Sequence, residues 1–68
     1  MIEVDARGLS CPLPVMRTKK ALESNPDALV VLADSGTAKV NVNNLLVDAG
    51  FDVTVTESGE DYRIEAKR

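Results

Sequence analysis

Cys11 is the only cysteine in the chain, and it stands in the run Ser10-Cys11-Pro12-Leu13-Pro14 just ahead of a helix-like stretch. A thiol reacts as its anion, so the first question is what the neighbouring residues do to negative charge on sulfur. With Pro12 as the first helical residue, Cys11 is the N-cap and Pro14 the third helical position. The first turn of a helix carries four N–H groups without intrahelical partners, and two prolines remove two of them. The amides of Cys11 and Leu13 remain, and the sulfur sits at the positive end of the helix dipole. Thiols so placed, or set beside cations, ionise more readily than free ones. By strand order the candidate cations are Arg7 and Lys39. The competing reading is an inert buried cysteine, since proline at the first helical position is common in itself.

The residues that are missing narrow the chemistry further. The chain has no histidine, which excludes a Cys–His nucleophile pair, and one cysteine without histidine cannot build a structural zinc site. No second cysteine is present to resolve a disulfide within the molecule, and no glycine-rich phosphate loop occurs. A lone activated thiolate can still receive a group from one partner and hand it to another. That describes a carrier more than a self-sufficient enzyme, and it calls for no metal and no cofactor.

The elements that must position the thiol are legible from periodicity. Residues 2–5 alternate apolar and polar as a short strand, with Met1 as the initiator leading into it, and Arg7-Gly8 breaks the pattern. A helix follows from Pro12, with Val15, Met16, Leu22 and the methyl of Thr18 on its buried side, and residues 23–27 end it. The apolar run 28–33 reads as a central strand, and Asp34-Ser35-Gly36 as a turn. A second helix from Thr37 buries Ala38, Val42, Leu45, Leu46 and Ala49, stops at Gly50, and turns Lys39, Asn41, Asn43, Asn44 and Asp48 outward. Residues 51–56 and 62–66 alternate around Ser58-Gly59 as a β-hairpin. The order β-α-β-α-β-β predicts an α/β fold of the α+β kind: one domain over residues 1–68, a two-layer sandwich of a mixed four-stranded sheet with both helices on one face. Leu29 and Val31 point to the opposite face from Val30 and Leu32, so some apolar surface is expected on the bare side of the sheet, suited to weak self-association.

Bulk composition sets limits on partners. At 68 residues and 44% hydrophobic, with Tyr62 and Phe51 as the aromatics, the core is aliphatic and too small for a deep enclosed cavity. A net charge of -3 repels phosphate backbones, and platforms for base stacking are lacking, so nucleic acid is not an expected partner. No apolar run approaches the ~20 residues that span a bilayer, and no secretory signal precedes Ile2, which points to the cytoplasm, where a thiol stays reduced. The cations Arg7, Arg17, Lys19, Lys20 and Lys39 all lie in the first forty residues. They read as solvated helix surface or as a docking patch for an acidic partner.

The stretch "DARGLSCPLPVMRTKKAL", Asp5 to Leu22, resembles the signature of the TusA/SirA/YedF family of small sulfur-transfer proteins, whose hallmark is Cys-Pro-x-Pro at the start of the first helix. The resemblance covers essentially the whole chain and is most specific over residues 4–22. It implies that Cys11 carries a persulfide, taken from a cysteine desulfurase or rhodanese-type donor and relayed to an acceptor protein. It also implies that Pro12 and Pro14 shape the helix end, that Asp5, Arg7 and Gly8 support the loop before it, and that Asp34 matches an acidic position near the site. The later run "AKVNVNNLLVDAGFDV" resembles the N-terminal domain of YedF-type members linked to selenium metabolism, which often continue into a further domain. Sulfur for tRNA, sulfur oxidation and selenium therefore stay open as pathways. Two alternatives of other classes also stand: an interaction or regulatory module that does not use Cys11, and a thiol redox sensor.

Overall fold

The computed structural model describes residues 2–68, so Met1 lies outside the described residues. Six elements follow in the expected order: β1 (Ile2–Asp5), α1 (Leu13–Leu22), β2 (Ala28–Ala33), α2 (Gly36–Asp48), β3 (Asp52–Ser58) and β4 (Asp61–Lys67). The strands form one mixed sheet in the order β1-β2-β4-β3. β1 runs parallel to β2, while β4 is antiparallel to both β2 and β3. A parallel β1–β2 pair requires a crossover, and α1 supplies it. The β3–β4 hairpin closes through Gly59-Glu60, with Gly59 at φ 63°, the left-handed conformation that short hairpin turns need.

One face of the sheet holds the core. Val4, Val31 and Ile64 stand side by side in register, as do Leu29 and Ala66 on neighbouring strands. α2 covers them with Ala38, Val42 and Leu46, all buried. α1 lies beside α2 and contributes less: Ala21 and Leu22 are only partly buried. Met16 is 55% exposed and Thr18 is fully buried, which corrects the expectation that Met16 fills the core. Thr18 fits because its hydroxyl donates to the Pro14 carbonyl at 2.9 Å, so nothing polar is stranded.

The end of α2 shows why Gly50 stops it. Gly50 adopts φ 91°, its amide donates to the Val47 carbonyl, and the Phe51 amide donates to the Leu46 carbonyl, both at 3.0 Å. This is a Schellman closure, and it places Phe51 in the core at the helix end rather than in the hairpin strand predicted for it.

The bare face of the sheet differs from the expectation as well. Val30 points to it but is only 1% exposed. Its register partners are Glu3 and Glu65, whose chains stand on either side of it, and Arg63 closes over Glu65 through a 2.8 Å ion pair. Leu32, the other apolar residue of this face, stays half-buried between Asp5 and Arg63, so less apolar surface is open there than the pattern predicts.

Candidate functional site

Cys11 is exposed, at the mouth of an open groove of about 380 Å³ between the starting ends of the two helices. One wall runs from Leu9 through Pro14 to Val15, and the other is made by Ser35, Thr37, Ala38 and Asn41. The competing picture of a buried thiol does not describe this residue.

The local geometry corrects the expected cap. α1 starts at Leu13, and Pro12, at φ -100° and ψ 17°, is its N-cap with no side-chain cap bond. The Pro12 carbonyl accepts from the Met16 amide at 3.1 Å, the bond that makes Pro12 and not Cys11 the capping residue. Pro14 therefore takes the second helical position, where it is buried. The Leu13 amide, expected to face the sulfur, donates instead to the Ser10 carbonyl at 2.9 Å. The Cys11–Pro12 peptide is cis. Cys11 thus sits one residue outside the cap, in a turn that ties its own backbone ends together and leaves its side chain uncommitted.

The two candidate cations are engaged elsewhere. The Arg7 guanidinium grips Asp5 with Nε on Oδ1 and Nη2 on Oδ2, both at 3.0 Å, and reaches Asp61 Oδ2 at 3.4 Å. The Arg7 amide also donates to Asp5 Oδ1 at 3.1 Å. Held by these bonds, the Asp5 carboxyl falls from its ordinary 3.8 to about 2, and the Arg7 guanidinium is held more firmly protonated. Lys39 Nζ lies over the Tyr62 ring, 4.8 Å from its centroid, a cation–π contact on the far side of α2 from the turn. Neither forms an ion pair with the sulfur.

Gly8 and Asp34 do come together. The Gly8 amide donates to Asp34 Oδ2 at 2.7 Å, joining the loop before Cys11 to the turn before α2. Asp5 and Arg7 thus bond to each other where the loop before Cys11 begins, and Gly8 and Asp34 join that loop to the turn before α2. Ser35, Thr37 and Asn41 were missed as site residues. Ser35 carried a readable signal, a hydroxyl residue just ahead of a helical run. It caps α2 by accepting from the Ala38 amide at 3.1 Å. Asn41 belongs to the asparagine-rich face of α2, which the sequence offers as an interaction surface and not as part of the thiol site.

Comparisons with known proteins in sequence and in structure point to one family. The sequence profile of the sulfurtransferase TusA family matches residues 2–68. A protein proposed to be a sulfur carrier in Methanocaldococcus jannaschii is 35% identical over 71 aligned positions, spanning 100% of this chain and 95% of its own. The sulfur carrier protein TusA of Allochromatium vinosum is 45% identical over 40 positions, 54% of this chain and 53% of that one. The crystal structure of a SirA-like protein from Desulfitobacterium hafniense superposes with a TM-score of 0.87 at 27% identity, covering 98% of this chain and 96% of the other.

Proposed function

The chain belongs to the TusA sulfurtransferase family, and from that premise we propose that it is a cytoplasmic sulfur carrier whose Cys11 bears the cargo as a persulfide. The observation that carries this reading is the exposed, uncommitted sulfur of Cys11 at the mouth of an open groove. A carrier must meet two proteins in turn, and a thiol on an exposed turn can be approached by both.

The transfer step balances without any cofactor. The Cys11 thiolate attacks the terminal sulfur of a donor persulfide, forming a new S–S bond. The donor's own S–S bond breaks, its electron pair stays on the donor cysteine, and that cysteine leaves as a thiolate. The transferred sulfur keeps its proton, and nothing is oxidised or reduced overall. Delivery repeats the exchange with Cys11 as the leaving thiolate. Donors of the cysteine desulfurase or rhodanese type supply such a persulfide, and the acceptor is the next protein of a sulfur or selenium pathway. No helix among the described residues is long and apolar enough to cross a membrane.

The test is mass spectrometry after incubation with a cysteine desulfurase and cysteine. One added sulfur atom is expected on Cys11, lost on reduction and absent in Cys11→Ser. No adduct with any persulfide donor, or an adduct that survives Cys11→Ser, would overturn the reading. Oxidation of Cys11 by peroxide without sulfur uptake would favour the redox sensor instead.

A further inference from the structure

The two walls of the Cys11 groove belong to chain segments that part company at the end of the sheet. The last backbone bond between them runs from the Ala6 amide to the Leu32 carbonyl at 2.8 Å. Beyond it one segment becomes the loop Arg7–Pro12 leading to Cys11, and the other becomes the turn that starts α2. Among the described residues, the hydrogen bond from Gly8 to Asp34 Oδ2 is the polar link that spans the gap. At 2.7 Å from an amide to a carboxylate it is of the short, charge-assisted kind.

We propose that Asp34 is a positioning residue for sulfur transfer, setting the aim of the Cys11 sulfur and the width of the groove beside it. The inference rests on the reading of Cys11 as the sulfur-bearing residue. Asp34 is well placed to act as an anchor because it adjoins Ser35, whose hydroxyl fixes the first turn of α2. The helix that follows the loop it holds, α1, has no side-chain cap of its own. Gly8 adopts φ 77°, a conformation that a residue with a Cβ rarely takes, and this backbone turn directs its amide at the carboxylate. Only Leu9 and Ser10 stand between Gly8 and Cys11, so a shift at Gly8 is passed to the sulfur over a short path. Exchange between two sulfurs needs an aligned approach, and a misplacement of about 1 Å costs on the order of a hundredfold in rate.

Asp34→Ala and Asp34→Asn, compared with the unaltered chain, test the role. The rate of sulfur uptake from a persulfide-loaded cysteine desulfurase is followed by mass spectrometry, and iodoacetamide alkylation of Cys11 serves as the control. Asp34→Ala is expected to slow uptake by about tenfold or more, with alkylation by the small reagent changed far less. Asp34→Asn keeps a carbonyl oxygen to accept from Gly8 and is expected to recover most of the rate. The Gly8 amide should be protected from hydrogen exchange in the unaltered chain and in Asp34→Asn, and this measurement stands even where Asp34→Ala folds poorly. Full uptake in Asp34→Ala overturns the proposal. So does an Asp34→Asn variant that retains Gly8 protection yet transfers as slowly as Asp34→Ala, or one that transfers faster than the unaltered chain, since charge and not position would then be at work. Failure of the underlying carrier reading looks different: the unaltered chain itself takes up no sulfur, and both ideas fall.

Discussion

Helix α2 begins at Ser35, whose hydroxyl accepts from the Ala38 amide at 3.1 Å, whereas α1 begins at Pro12 with no side-chain cap at all. The two ends face each other across one groove, yet they are built on opposite lines. α2 buries Ala38, Val42 and Leu46 and closes on Phe51. Both helices leave two apolar side chains exposed, Leu13 and Met16 on α1 and Val40 and Val47 on α2, but α1 buries only Pro14 and Thr18. The difference gives the two prolines a role. A helix start usually needs a side chain to satisfy its free amides, and that side chain is then spoken for. Here Pro12 and Pro14 have no amide to satisfy, while Leu13 and Met16 bond to backbone carbonyls. No side chain caps this turn, the sulfur included, so one helix holds the fold and the other presents the thiol.

The sharpest way to break this comparison is to truncate one apolar side chain on each helix. Leu46→Ala removes a fully buried side chain from the centre of the core and is expected to cost about 2–5 kcal/mol of stability in urea unfolding. Met16→Ala, at a 55% exposed position, should fall within about 0.5 kcal/mol of the unaltered chain. Comparable losses from the two would mean that α1 carries as much of the fold as α2.

A smaller effect sharpens the same point at the helix starts. Ser35→Ala should cost about 1 kcal/mol through the lost cap, and Ser10→Ala, across the groove, should cost little because its carbonyl and not its hydroxyl holds Leu13. Equal costs would show that α1 relies on a hydroxyl cap that the geometry does not display.

Much of this was legible in the sequence, and the misses share a cause. Periodicity placed all six elements, because alternation in residues 2–5 and the hairpin, and the Ala38-Val42-Leu46 stripe, are local patterns. The thiol was legible through its two prolines. What could not be read was which partner each polar group would choose. Arg7 looked like a cation for the sulfur, but two carboxylates, one of them 54 residues away, compete for it and win. Leu13 looked like an open amide until the turn at Ser10 claimed it. Val30 looked like bare apolar surface because charged neighbours on adjacent strands are invisible along one strand. Phe51 fitted strand alternation as well as helix closure, and only the φ of Gly50 decides between them. For Val30 and for the Arg7–Asp61 contact the deciding neighbour is distant in sequence, and for Leu13 and Phe51 it is a backbone conformation that side-chain periodicity does not encode.

The smallest effect concerns how the loop before Cys11 is held. Its brace is an exposed ion pair, Arg7 with Asp5, at side-chain exposures of 45% and 56%. Pairs in such positions are screened by water and salt and contribute little to overall stability. Their signature is in titration. Asp5 ionises with a pKa lowered from 3.8 to about 2, first through its side-chain hydrogen bond to Arg7 and next through the Arg7 amide. A depressed carboxyl stabilises the folded state fully above its ordinary pKa and loses that contribution as pH falls through the folded value. The brace should therefore persist through the neutral range and fail only between about pH 4 and pH 2. In Arg7→Gln the guanidinium bond and the charge are gone while the backbone amide remains, so the Asp5 carboxyl carbon in NMR should titrate with a midpoint moved part of the way back towards 3.8. Stability at neutral pH should barely change, in contrast to Leu46→Ala. An unmoved Asp5 midpoint would mean that the loop is braced by its backbone alone, and the Arg7 guanidinium would then be free to serve the thiol after all.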